Sequence, residues 1–173
     1  MPQLNPVLCR DALSGELFPS PLLHEIFALR RSEIWFEGEI PGFRKMKASG
    51  RFYLTSHRII FLVESQTNKS DLSSIAVGFN ELRSPPDFKQ PIFGANYLQL
   101  ICLDASTISF SFTSGGCDAL LPVLYRLFDA ADKSNPSLIV TQVLQQRSRN
   151  VAFVDPNDPS VFYVTQPTPA PAE

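Results

Sequence analysis

Apolar and polar residues alternate through the middle of this chain with the period of a pleated strand. Over residues 47–55, Ala48, Gly50, Phe52 and Leu54 share one side, and Lys47, Ser49, Arg51, Tyr53 and Thr55 the other. That pattern predicts a half-buried strand. Thr55-Ser-His57 turns the chain, and residues 58–64 return it as an apolar, β-branched strand. Upstream, 24–29 and 32–39 read as two strands joined at Arg30-Arg31, although 22–29 fits a short helix equally well. In the second of these, Ile34 and Phe36 face away from Trp35 and Glu37. Downstream, 72–79, 97–103 and 107–113 complete a set of about seven strands. The last alternates most clearly, with Ile108, Phe110 and Phe112 inward, after a hairpin-length connection Asp104-Ala-Ser106. Pro85 and Pro86 each remove an amide donor and mark a break.

After Gly115-Gly116 the period changes. Leu120, Val123, Leu124, Leu127, Phe128 and Ala131 recur at spacings of three and four, one face of an amphipathic helix. Asp118 is placed to cap it and Pro122 to lie near its first turn. A curved sheet open at one end needs an apolar plug, and this stripe can supply it. The domain is therefore expected over 22–133, mainly β with one C-terminal helix. Residues 1–21, with Pro2, Pro6, Pro19 and Pro21, read as an extended and loosely held lead-in. Residues 134–150 suit a short helix with Leu138, Ile139, Val143 and Leu144 on one side. The proline-bearing stretch 151–173 is expected to be disordered or polyproline-II-like.

Composition narrows the functional classes. A hydrophobic share of 44% over 173 residues allows one substantial core, and fourteen Phe against one Trp and two Met favour an aromatic, β-rich interior. A net charge of −2 provides no global field for nucleic acid, so no direct nucleic-acid binding is expected. Cys9, Cys102 and Cys117 are odd in number and far apart, which gives no disulfide framework and suits a reducing compartment, cytoplasm or nucleus. The first ten residues do not read as a secretory signal, and no run approaches the roughly 20 apolar residues of a membrane span.

Catalytic chemistry finds few candidates. His24 and His57 fall in different elements. His24-Glu25 begins like a zinc-binding HExxH, but Ala28 stands where the second histidine is required. Gly115-Gly116 lacks the surrounding pattern of a phosphate-cradling loop. No catalytic residue, metal site or cofactor is therefore expected, and the chain reads as a non-enzyme. The basic residues are more suggestive. Arg44, Lys45, Lys47, Arg51 and Arg58 are five of the fifteen Lys and Arg, with no acid between Glu39 and Glu64. They read either as a solubilising rim or as a site for a phosphoinositide headgroup or anionic membrane surface.

Three stretches carry a family resemblance. Lys89-Gln-Pro-Ile-Phe-Gly-Ala-Asn-Tyr97 resembles the Lys-Gln-Pro-Phe-Gly-Ala-Asn-Tyr signature of the WW domain-binding protein 2 family. Gly50-Arg-Phe-Tyr-Leu-Thr-Ser-His-Arg-Ile-Ile-Phe-Leu62 is similar to its central strand pair, and Phe110-Ser-Phe-Thr-Ser-Gly-Gly116 to its last strand and glycine joint. The resemblance covers about residues 33–132. It implies a GRAM domain with a pleckstrin-homology-like fold: a curved antiparallel sheet or partly open barrel capped by the helix. It further implies a non-enzymatic adaptor with protein partners among transcription regulators, coactivator-like, acting at chromatin and moving between cytoplasm and nucleus. The family's Pro-rich tail carries PPxY motifs that WW domains grip. This chain departs there: its nearest match is Pro85-Pro86-Asp87-Phe88, with Phe in place of Tyr and inside the expected domain.

Overall fold

Strand pairing begins almost at the first residue. The structure, a computed structural model, describes residues 1–66, 70–131, 154–155, 158–162, 167 and 169–170. The helix expected over 134–150 lies outside the described residues. In chain order the strands are β1 (Gln3–Leu4), β2 (Leu8–Arg10), β3 (Leu17–Pro19), β4 (Phe27–Glu39), β5 (Met46–Thr55), β6 (Arg58–Gln66) and β7 (Ser74–Gly78). A 3₁₀ turn (Phe79–Glu81) precedes β8 (Asp87–Lys89), β9 (Tyr97–Ile101), β10 (Thr107–Ser111) and the helix α1 (Cys117–Ala131). Two further strands follow, β11 (Val154–Asp155) and β12 (Asp158–Phe162).

The main sheet is antiparallel and runs β1-β7-β6-β5-β4-β10-β9-β8, without closing into a barrel. Its inner face is aromatic. Phe36 stacks on Phe61 with ring centroids 5.1 Å apart, and Phe110 meets Phe52 edge-on at 5.1 Å. These are the alternating residues of β4, β5, β6 and β10. Such offset and edge-on pairs add roughly 1 kcal/mol beyond burial alone. Leu120, Val123, Leu124 and Leu127 of α1 close over this core, and Phe128 meets Phe79 edge-on at 6.1 Å. Gly115 and Gly116, both at φ 82°, turn the chain from β10 into the helix in a conformation that costs glycine little. The helix starts at Cys117, so Asp118 lies in its first turn and not at the cap, and Pro122 is the sixth residue.

The two strands expected on either side of Arg30-Arg31 are one. β4 pairs with β5 from Phe27↔Thr55 to Gly38↔Met46, through irregularities between Phe27 and Leu29 and between Arg31 and Ile34. Glu33 there has φ 57°. A bulge interrupts the period of two, which is why alternation alone splits the strand.

The lead-in is also corrected: β1 joins the main sheet, and β2 and β3 form a two-stranded sheet of their own. β1 adds to β7, and the β2–β3 hairpin lies on the sheet's outer face. Phe18, Phe27, Tyr53, Ile60, Leu62 and Ala76 form a second buried cluster there, with Leu8 and Cys9 against it. Tyr53, on the face of β5 opposite Phe52 and Leu54, is buried for this reason. Asn5 anchors the strand: its Oδ1 accepts from the Ser73 amide at 2.7 Å, and its Nδ2 donates to the Asp71 carbonyl at 3.1 Å. Part of the tail differs from expectation as well. β11 and β12 form a hairpin, and β12 pairs with β4 at Val161↔Arg31 and Phe162↔Arg30.

Candidate functional site

The five basic residues singled out by sequence occupy three separate settings. Arg44 is exposed on the β4–β5 connection, next to the half-exposed Phe43. Lys45 Nζ lies 3.0 Å from both Glu37 and Glu39, and Lys47 Nζ lies 3.2 Å from Glu37. Hydrogen bonds from Lys45 and then Lys47 hold the Glu37 carboxyl below its ordinary range, and Lys45 is correspondingly raised. Exposed pairs of this kind contribute little to stability. Their effect here is electrostatic, because each lysine meets a carboxylate before it meets solvent anions.

Arg51 is largely enclosed, with Nε 2.8 Å from Glu64 Oε1 and Nη1 3.6 Å from Glu16 Oε2. Its Nη2 donates to the Leu17 carbonyl at 3.2 Å, which ties the β2–β3 hairpin to β5. Arg58 is buried. Its Nε and Nη2 donate to the two Glu25 oxygens at 2.8 and 3.1 Å, and Nη2 also donates to the Ser20 carbonyl at 2.9 Å. Thr55 Oγ1 and the Leu22 amide complete the carboxylate's partners at 2.7 and 2.8 Å. Burial pushes the Glu25 carboxyl up, but the Arg58, Leu22 and Thr55 hydrogen bonds outweigh it and leave it below the usual value.

An outward basic cluster does not form from these five. The sequence interval without acids was real, but the counter-charges arrive from elsewhere: Glu37 and Glu39 on β4, Glu64 at the far end of β6, Glu16 from the lead-in and Glu25 from the segment just before β4. The Glu37↔Lys47 pairing is the one signal that strand register offered in advance.

The signature stretch has a different character. Lys89 and Tyr97 are register partners where β8 and β9 meet, and a loop joins them. At its tip Ile92 is 94% exposed and Phe93 is 91% exposed, the greatest exposure of any Ile or Phe among the described residues. The Lys89↔Tyr97 strand pairing and the bond from the Phe112 amide to the Asn96 carbonyl at 2.9 Å fix the loop's two bases. The sequence reading did not count these side chains as a site. The signal was two large apolar residues between Pro91 and Gly94, where no strand can bury them.

Pro85, Pro86 and Phe88 are integrated into the domain. Pro86 is buried and its carbonyl accepts from Tyr125 Oη at 3.2 Å, while Phe88 packs against the main core from β8. Only Pro85 is exposed, so this stretch lacks the accessible proline-and-aromatic surface that a WW domain grips.

The remaining chemistry is local. His24 is exposed at φ 59°, and His57 Nδ1 lies 2.7 Å from Ser56 Oγ in the β5–β6 turn. Burial pushes the Cys102 thiol to about 11 and the Cys117 thiol to about 12, which makes both poor nucleophiles. Among the described residues no group of three or more His, Cys, Asp or Glu is arranged to hold a metal ion. No described helix is long and apolar enough to cross a membrane.

No protein-family model matches the chain, and no curated protein matches it significantly. Solved structures do. The Vps36 N-terminal PH domain superposes with a TM-score of 0.51 at 16% identity, covering 70% of this chain and 90% of that one. The fold is therefore pleckstrin-homology-like: a large antiparallel sheet with one C-terminal helix.

Proposed function

We propose that this chain is a non-enzymatic docking module whose partners are proteins, gripped through the β8–β9 loop. The exposed Ile92–Phe93 pair on a loop anchored at both bases is the observation that supports the reading. Two large apolar side chains in water lose nothing by entering a partner's pocket, and each buries an area worth about 2 kcal/mol. The finer reading is a GRAM-domain adaptor similar to the WW domain-binding protein 2 family. It assists transcription with regulators bound at chromatin and moves between cytoplasm and nucleus. It rests on the Lys89–Tyr97 signature being the stretch that carries this loop.

The test places a photo-crosslinking amino acid at position 93 in cells, with the exposed Ser84 as control position. Cross-links to chromatin-associated proteins from 93 and not from 84 are expected. Equal yields from both positions would remove the loop from the site.

A second reading rests on Phe43 and Arg44, exposed side by side at the β4–β5 connection: a peripheral contact with a phosphoinositide or anionic membrane. Co-sedimentation with phosphoinositide vesicles at near-physiological salt separates the two. Binding by the parent that is lost in Phe43→Ser/Arg44→Ser would favour the membrane.

A further inference from the structure

β4 is thirteen residues long, yet β10 covers its second edge only over Trp35–Glu39, from Ser111↔Trp35 to Thr107↔Glu39. Beyond Ser111 the chain leaves the sheet for α1, and the β4 register is irregular between Arg31 and Ile34. An exposed strand edge is a template for another strand. In this structure it is taken by β12, antiparallel, with Val161 opposite Arg31 and Phe162 opposite Arg30. β11 backs β12 on its far side, so a small hairpin from the tail completes the row.

The same tail makes a second contact farther on. The Ala170 amide donates to the Arg10 carbonyl at 2.9 Å, and Asp11 bridges Pro169. That hairpin end is itself tied to β4, because Arg30 Nη1 donates to Glu16 at 2.9 Å. The described parts of the tail thus contact both the β4 edge and the adjoining hairpin. The connection is long enough to do this within one molecule. Between Ala131 and Val154 lie 22 residues (132 to 153), with a reach of about 70 Å, against about 22 Å for α1 itself.

We propose that the β4 edge at Arg30–Arg31 is a strand-addition site, held in cis by the tail segment Asp158–Phe162 and available to an extended peptide of a partner once that segment leaves. Recognition is by main-chain ladder, so the partner is an extended, β-branched and aromatic segment resembling Ser160-Val161-Phe162. This site is distinct from the β8–β9 loop and does not depend on it. The tail acts as a resident competitor, and the apparent affinity for a partner scales with the fraction of chains whose edge is free.

Amide exchange by NMR on the full chain tests this. Successive strand residues direct their amides to opposite edges, so one of the Arg30 and Arg31 amides belongs to the β12 ladder. Val161→Pro/Phe162→Pro removes the tail's donors. Exchange at that amide is expected to quicken at least tenfold, with Phe36 and Phe110 unchanged as the check on folding. A synthetic peptide of residues 154–170 should then restore protection and bind the variant at least tenfold more tightly than the parent. Unchanged exchange, or peptide binding to neither or equally to both, would overturn the proposal. A second variant, Arg30→Cys/Phe162→Cys, should lose peptide binding when oxidised and regain it when reduced. Dimerisation of the parent on concentration, followed by sedimentation, would overturn the cis arrangement.

Discussion

Arg58 Nε lies 2.8 Å from Glu25 Oε1, and both side chains are buried where the lead-in crosses the β5–β6 turn. The pair does for the fold what a covalent staple does in other small domains. It fixes residues 20–25 against β5 and β6, and so positions the start of β4. Removing one partner strands the other charge out of water. Glu25→Gln is expected to lower the unfolding free energy by about 3–5 kcal/mol, read from urea titrations. Replacing both with apolar residues (Glu25→Leu/Arg58→Met) should recover most of the loss, which distinguishes a stranded charge from a lost contact.

The same pair predicts a pH dependence. The folded-state pKa of Glu25 is depressed. Its contribution is therefore complete above the unfolded carboxylate value, about 4.3, and is lost as pH falls through the lower folded value. Stability of the parent should decline on acidification below about pH 4.5, and the decline should be shallower in Glu25→Gln. Parallel curves for the two proteins would mean that other carboxylates govern acid unfolding.

Phe18 sits edge-on to Phe27 with centroids 6.4 Å apart, and Phe27 to Tyr53 at 6.1 Å. Phe18→Ala should cost about 3 kcal/mol in denaturant unfolding. A lead-in that merely trailed from the domain would give no change.

A Cβ at Gly50 would stand 1.9 Å from the Leu62 carbonyl oxygen, a backbone atom that cannot swing aside. The irregularity in β5–β6 pairing between Ser49 and Gly50 brings the strands this close. Gly50→Ala is expected to destabilise by about 3 kcal/mol, seen as a lowered Tm, because the β5–β6 ladder must open.

Thiol chemistry should divide by burial. Cys9 is half-buried, whereas Cys102 and Cys117 are fully buried with thiols raised to about 11 and about 12. Iodoacetamide at pH 8 should alkylate Cys9 first, with the other two reacting only in denaturant. Peptide mass mapping over time reads the order directly.

Some of this protein was legible from residue order alone. The alternation in β5 and β10 and the three-four spacing of α1 report which side of each element is apolar. Burial of Phe52, Phe110 and Leu124 follows because an apolar side chain has one favourable destination in a closed fold. The Lys89–Tyr97 stretch likewise announced a loop through its proline and glycine. What alternation cannot express is how far an element continues through an irregularity, and β4 was divided in two on that account. Nor does local pattern reveal what covers a sheet's second face. The two- and three-residue strands of the lead-in carry no period, and only their packing on Tyr53 and Ile60 makes them part of the domain.

Charge was the property least visible in sequence. Arg44, Lys45, Lys47, Arg51 and Arg58 are neighbours along the chain, and that proximity suggested either a solubilising rim or an anionic-ligand site. Coulomb energy depends on distance in space, and antiparallel pairing brought Glu37 beside Lys47 and Glu64 beside Arg51. Packing of the segment before β4 brought Glu25 to Arg58. The sequence by itself determined the apolar faces, the turns and the terminal helix, because those follow from each residue's own chemistry and its nearest neighbours. The tertiary structure alone decided which charges meet, which aromatic side chains stay in water, and which strand edge the tail occupies. Each of those depends on residues distant in the chain being brought within a few ångströms.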